Sequence, residues 1–87
     1  MIDVAYAPSF VRQFKLLEKD LKSEVIEKIE LFKNEVSQKQ LRVHKLKGRL
    51  RGRFSFSVNY RFRIVFNYLS DNEAVLLAIG DHEVYKT

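Results

Sequence analysis

The chain contains no cysteine, and only one proline and three glycines, in 87 residues. Without cysteine there is neither a disulfide framework nor a thiolate metal site. The two histidines, His44 and His82, lie far apart in sequence, so no structural metal and no cofactor is expected. No apolar run approaches membrane-spanning length. The amino terminus, MIDVAYAPSF, lacks the basic start and long apolar segment of a signal peptide. The sequence therefore reads as one soluble, cytoplasmic domain over 1–87, able to build its own core but modest in stability. Acid is also missing, but only locally. Residues 36–70 carry nine Lys/Arg and no Asp or Glu, whereas 1–35 carry six basic and seven acidic residues, and 71–87 carry one and four. Nearly all of the +5 net charge thus sits in the middle of the chain. A segregated field of this kind attracts a polyanion, either nucleic acid or a strongly acidic protein, against the plainer alternative of a solvated basic face.

Within that basic stretch, Arg49 to Phe66 alternates at period two. Phe54, Phe56 and Val58 point one way, and Arg53, Ser55, Ser57 and Asn59 the other. Past a turn near Asn59, Phe62, Ile64 and Phe66 share one face, while Arg61, Arg63 and Asn67 share the opposite one. Alternation over this length predicts half-buried strands joined as an antiparallel hairpin. A two-residue loop would set Phe56 against Arg63 and mix the faces. A three-residue loop, Asn59 to Arg61, sets Phe56 against Ile64 and Ser57 against Arg63, and is the register expected.

The single proline and the glycines fall where elements should end. Ile2 to Tyr6 reads as a strand, broken at Ala7-Pro8-Ser9, with Pro8 suited to a first helical turn. Phe10, Phe14, Leu17 and Leu21 make a helical stripe. A second helix, with Asp20 as its cap, lines Leu21, Val25, Ile29, Phe32 and Val36 along one face. Val11, Leu16, Ile26 and Leu31 widen the apolar arcs, leaving surface for a protein partner. Ser37 to Gly52 reads as mostly loop, with a short strand around Arg42 to Leu46 and bends at Gly48 and Gly52. After a turn at Ser70-Asp71-Asn72, Glu73 to Ile79 is nearly all apolar, as a central strand covered on both faces would be. Gly80 ends it. The order implies an α+β fold: an N-terminal strand and a two-helix hairpin packed on a small antiparallel sheet.

Four segments carry a resemblance: Leu46-Lys47-Gly48, the Gly-Arg-Phe-Ser strand, Tyr60 to Phe66, and Ile79-Gly80-Asp81-His82-Glu83-Val84-Tyr85. Together with the β-α-α-β-β-β order, they resemble the RelE/ParE superfamily of type II toxin–antitoxin systems. The resemblance spans the whole chain and implies the RelE-like fold. For RelE-like members it implies a ribosome-dependent, metal-independent mRNA endoribonuclease that inhibits translation. For ParE-like members it implies a non-catalytic inhibitor of DNA gyrase. Fold alone does not separate these. In the first case Arg63 matches the family's phosphate-stabilising arginine. His82 and Tyr85 match its carboxy-terminal pair, as acid–base group and base-stacking or orienting ring. Lys45, Lys47, Arg49, Arg51 and Arg61 would hold RNA phosphates. Some relatives use a glutamate base before the hairpin; none exists here, and His44 is the substitute. The implied partners are a cognate antitoxin, the ribosome and mRNA.

Overall fold

A computed structural model describes residues 1–34, 40–48 and 52–81. Seven elements follow in order: β1 Asp3–Tyr6, α1 Pro8–Lys15, α2 Lys19–Lys33, β2 His44–Lys45, β3 Phe54–Ser57, β4 Arg63–Ser70 and β5 Glu73–Gly80. The strands form one sheet in the order β1-β5-β4-β3-β2. Strands β2 to β5 pair antiparallel, as their short connections require. Strand β1 instead runs parallel to β5, with Asp3 opposite Glu73 and Tyr6 opposite Leu76. The sheet is therefore mixed rather than antiparallel throughout. Alternation fixes the face a side chain takes but says nothing of strand direction. The connection from β1 to β5 passes through both helices and is long enough for a parallel pairing.

The β3–β4 hairpin takes the expected register, Phe56 opposite Ile64 and Ser57 opposite Arg63. Its turn is held by the Asn59 side chain, whose Oδ1 accepts the Arg61 and Phe62 amides at 2.8 Å each. Such self-capping is what suits asparagine to turns. Helix boundaries differ from the sequence expectation. Helix α1 stops at Lys15, so Leu17 lies in the linker and Leu21 on α2. The cap of α2 is Glu18, not Asp20: the Glu18 carboxylate accepts the Leu21 amide at 2.7 Å. Asp20 sits inside the first turn, where a negative charge still favours the helix dipole. Val36 lies outside the described residues.

The core is an aromatic stack between α2 and the sheet. The Phe32 ring lies 4.6 Å from Phe56 and 4.7 Å from Phe66, centroid to centroid. Phe10, Val25 and Ile29 from the helices and Ile64, Leu76 and Ile79 from the sheet complete it. Leu41, in the segment read as loop, is also buried, and its carbonyl accepts the Ser57 amide at 2.8 Å. Strand β5 is interior, but β4 takes the middle of the sheet. Ala74, Leu76 and Ile79 are buried, whereas Val75, Leu77 and Ala78 are half-buried, so one face of β5 is only partly covered. Beyond Leu76, β5 outruns β1, and a bulge drops Leu77 out of register with β4. Helix α1 covers the exposed polar groups there. Ser9 Oγ donates to the Leu77 carbonyl at 2.6 Å, and Gln13 Oε1 accepts the Ile79 amide at 2.8 Å. These contacts satisfy a backbone that the ladder leaves unpaired.

Candidate functional site

Residues paired across strands share a face. The register that sends Phe56, Ile64 and Phe66 to the helices therefore sends His44, Ser55, Ser57, Arg63 and Val65 to the other side. The floor of that side is dry, with Ser55 0% and Val65 1% exposed. Above it, Ser57 and Arg63 are half-buried and His44 is exposed on the edge strand β2. The His44 ring is held at both nitrogens: Nδ1 lies 3.0 Å from the Arg42 carbonyl and Nε2 3.3 Å from Ser55 Oγ. His44 lies two strands across from β4, opposite Ser55 and Val65, and two residues along from Arg63, so the two Cα atoms stand roughly 12 Å apart.

The Arg63 guanidinium is not packed under the helices. Its Nη1 donates to the Asn59 carbonyl at 2.7 Å and to the Phe62 carbonyl at 3.2 Å. Asn59 is itself tied to α2, its Nδ2 donating to Glu24 Oε1 at 2.9 Å. A chain of hydrogen bonds thus runs from α2 through the turn to the arginine. The hairpin tip separates two recesses. One, of about 270 Å³, is lined by Lys28, Arg42, Ser57, Tyr60 and Arg63 among others, with no acidic side chain. The other, of about 830 Å³, is lined by Glu18, Asp20, Glu24 and Glu27 with Tyr60 and Arg61. The smaller recess suits an anion; the larger repels one. Tyr60 borders both and is 91% exposed. A third, apolar groove of about 390 Å³ lies on the helices, lined by Tyr6, Phe10, Val11, Phe14, Ile26 and Ile29 with Lys15.

The expected site residues are only partly assembled within the described residues. Arg63 is on the face assigned to it. Arg61 is exposed, stacks its guanidinium 5.6 Å from the Phe62 ring, and borders the acidic recess rather than the basic one. Lys45 pairs with Phe54 and so projects to the helix side of β2, away from Arg63. The reason is parity: in a strand of two residues, His44 and Lys45 take opposite faces. Lys47 is exposed past the end of β2. Arg49, Arg51, His82 and Tyr85 lie outside the described residues. Gly80 pairs with Arg63, so the chain leaves β5 beside the arginine, two residues before His82. Lys28 and Arg42 are not singled out as phosphate contacts by sequence. Arg42 belongs to the acid-free stretch, and that signal was available. Lys28 lies among glutamates on α2, and nothing local marks it.

No protein-family model matches the chain, and no curated protein matches it by sequence. Solved structures match it along its length. YafQ from E. coli is 18% identical over 100% of both chains, with a TM-score of 0.78. A conserved hypothetical protein from Helicobacter pylori is 24% identical, covers 98% of this chain and 99% of its own, and has a TM-score of 0.73. The YoeB–YefM toxin–antitoxin complex from Staphylococcus aureus is 19% identical, covers 94% of this chain and 98% of that one, and has a TM-score of 0.71. The fold is RelE-like. At these identities the likeness is one of backbone architecture, and the chemistry has to be argued from the side chains. An arginine fixed by carbonyls, an imidazole with both nitrogens engaged, and a small cationic recess make a surface suited to an anion.

Proposed function

We propose that the chain is the toxin of a type II toxin–antitoxin system, a metal-independent endoribonuclease that cuts ribosome-bound mRNA. One observation carries the reading: Arg63 and His44 share the sheet face turned away from the helices, beside an acid-free cationic recess. Cleavage begins when a base removes the proton from a ribose 2′-OH, which attacks the adjacent phosphate. Charge grows on the phosphorane oxygens and is met by the Arg63 guanidinium. Its Nη1 is held by the turn carbonyls, which leaves the rest of the planar fork for phosphate oxygens. An acid then protonates the departing 5′-oxygen. His44 and His82 share the acid and base roles, since imidazole titrates nearest neutral pH. Tyr85 and the exposed Tyr60 stack on unpaired bases. Lys28, Arg42, Lys47, Arg49 and Arg51 supply phosphate affinity and its salt dependence. The cognate antitoxin uses the apolar groove on the helices, whose exposed Val11 and Ile26 would otherwise face water. The YoeB–YefM likeness supports such a partner.

The test is induction of the protein alone, followed by primer extension on cellular message. New 5′ ends inside translated mRNA are expected within minutes of the arrest of protein synthesis. Arg63→Ala should lower cleavage by about 10²–10³-fold, the usual loss when an oxyanion-stabilising donor is removed. Arrest of growth with intact mRNA and blocked DNA supercoiling would replace this reading with a gyrase-directed one.

A further inference from the structure

The two contacts that hold His44 differ in kind. The neighbour of Nδ1, at 3.0 Å, is the Arg42 carbonyl, which only accepts, so Nδ1 carries a proton. The neighbour of Nε2, at 3.3 Å, is the Ser55 hydroxyl, which both donates and accepts. In the neutral ring the lone pair then sits on Nε2, and Ser55 donates to it. The residue whose carbonyl makes the first contact has an unusual backbone conformation. Among the described residues Arg42 is the one non-glycine with a positive φ, +56°, a left-handed conformation that residues with side chains rarely adopt. The second contact comes from a rigid floor. Ser55 is fully buried and pairs with His44 across the β2–β3 ladder.

We propose that Ser55 is a positioning residue for His44. With the Arg42 carbonyl, it fixes the neutral imidazole as the Nδ1–H tautomer and keeps the lone pair on Nε2, on the face that carries Arg63. An unconstrained histidine favours the opposite tautomer, Nε2–H, which offers no base at that nitrogen. The Nε2 to Oγ distance is at the long end for a hydrogen bond, so an incoming ribose hydroxyl displaces the serine at little cost. The 2′-OH proton passes to Nε2, leaving an imidazolium whose Nδ1–H stays on the Arg42 carbonyl. The catalytic consequence rests on the RNA-cleavage reading; the tautomer does not.

The experiment is a two-bond ¹H–¹⁵N spectrum of histidine-labelled protein at about pH 8, above the usual imidazole titration. Signals are assigned to His44 with a His82→Gln variant. Wild type should show a protonated Nδ1 and an unprotonated Nε2. Ser55→Ala removes one oxygen, and its backbone amide spectrum reports that the fold is kept. It should move His44 toward a mixture of tautomers. It should also raise KM for cleavage severalfold, by the share of free protein lost to the other tautomer, with kcat little changed because the serine is already displaced in the bound complex. A wild-type His44 in the Nε2–H form, or a Ser55→Ala spectrum with the tautomer unmoved, would overturn the proposal. If wild type cut no RNA, the proposed function would fall, and the spectrum would still decide the tautomer.

Discussion

The two faces of the sheet are built from the same strands and do opposite work. On the helix side, Phe56 and Phe66 close around Phe32 with ring separations under 6 Å and no exposure. On the other side, alternate residues of the same strands present Ser55, Ser57 and Arg63, with His44 beside them. Arg63 and Ile64 are neighbours in sequence, yet one is held by turn carbonyls at the surface and the other is in the core. A strand lets a small domain separate stability from chemistry by one residue, because successive side chains point to opposite faces. The sharpest way to break this division is Phe32→Ala. Removing a buried ring costs about 3–5 kcal/mol, out of roughly 5–15 kcal/mol that holds a domain of this kind. In a chain of this length Tm should fall by more than about 15 °C. Arg63→Ala should change Tm by only a few degrees, since half-exposed positions away from the core cost about 1 kcal/mol or less. Thermal melts of the two variants check the pair, and comparable losses would show that the faces are not independent.

Asn59 joins the two faces, and a variant there should affect both. Its Oδ1 closes the turn, its Nδ2 reaches Glu24 on α2, and its carbonyl holds Arg63. Asn59→Ala removes three side-chain hydrogen bonds and should cost about 1–3 kcal/mol. Cleavage should fall more than that stability loss explains, because the carbonyl that aims Arg63 is no longer fixed in place. Glu24→Ala removes only the tether to the helix and should give a smaller loss on both counts. Equilibrium denaturation beside a cleavage assay at a temperature where both variants stay folded makes the comparison. Equal catalytic losses for the two would mean that the helix, not the turn, positions the arginine.

The division between faces was legible in sequence wherever alternation was long enough. The pairs Phe56–Ile64 and Ser57–Arg63 follow from matching two apolar runs, and the structure keeps that register. Where the pattern was short or absent, sequence ran out. With only two residues in β2, nothing fixed whether His44 or Lys45 faced Arg63, and a slip of one position exchanges them. By type Asp20 is the better cap than Glu18. What decides is which carboxylate reaches the Leu21 amide, a matter of chain path. The parallel direction of β1 and the bulge at Leu77 depend on contacts between distant segments, Ser9 and Gln13 with β5, which no local pattern encodes. The cationic recess has the same character. Lys28, Arg42 and Arg63 come from a helix, a loop and a strand, and only the tertiary fold gathers them.

The smallest expected effect is a control on the whole scheme. Lys33 and Glu30 form an ion pair at 3.0 Å on the outer surface of α2, apart from the aromatic stack and the Arg63 face. The hydrogen bond that Lys33 donates to Glu30 raises the Lys33 pKa above its usual value near 10.5, with burial opposing it. A lysine whose folded pKa is raised adds stability that is fully present below the unfolded value and is lost as pH climbs through the folded one. Solvent screens so exposed a pair, so Glu30→Gln should cost no more than about 0.5 kcal/mol at neutral pH. The gap between wild type and variant should close in strongly alkaline solution, as urea titrations at neutral and alkaline pH would show. Cleavage should be unchanged. Were it to drop severalfold, the outer surface of α2 would be part of the working surface, and the assignment of chemistry to one face of the sheet would be too narrow.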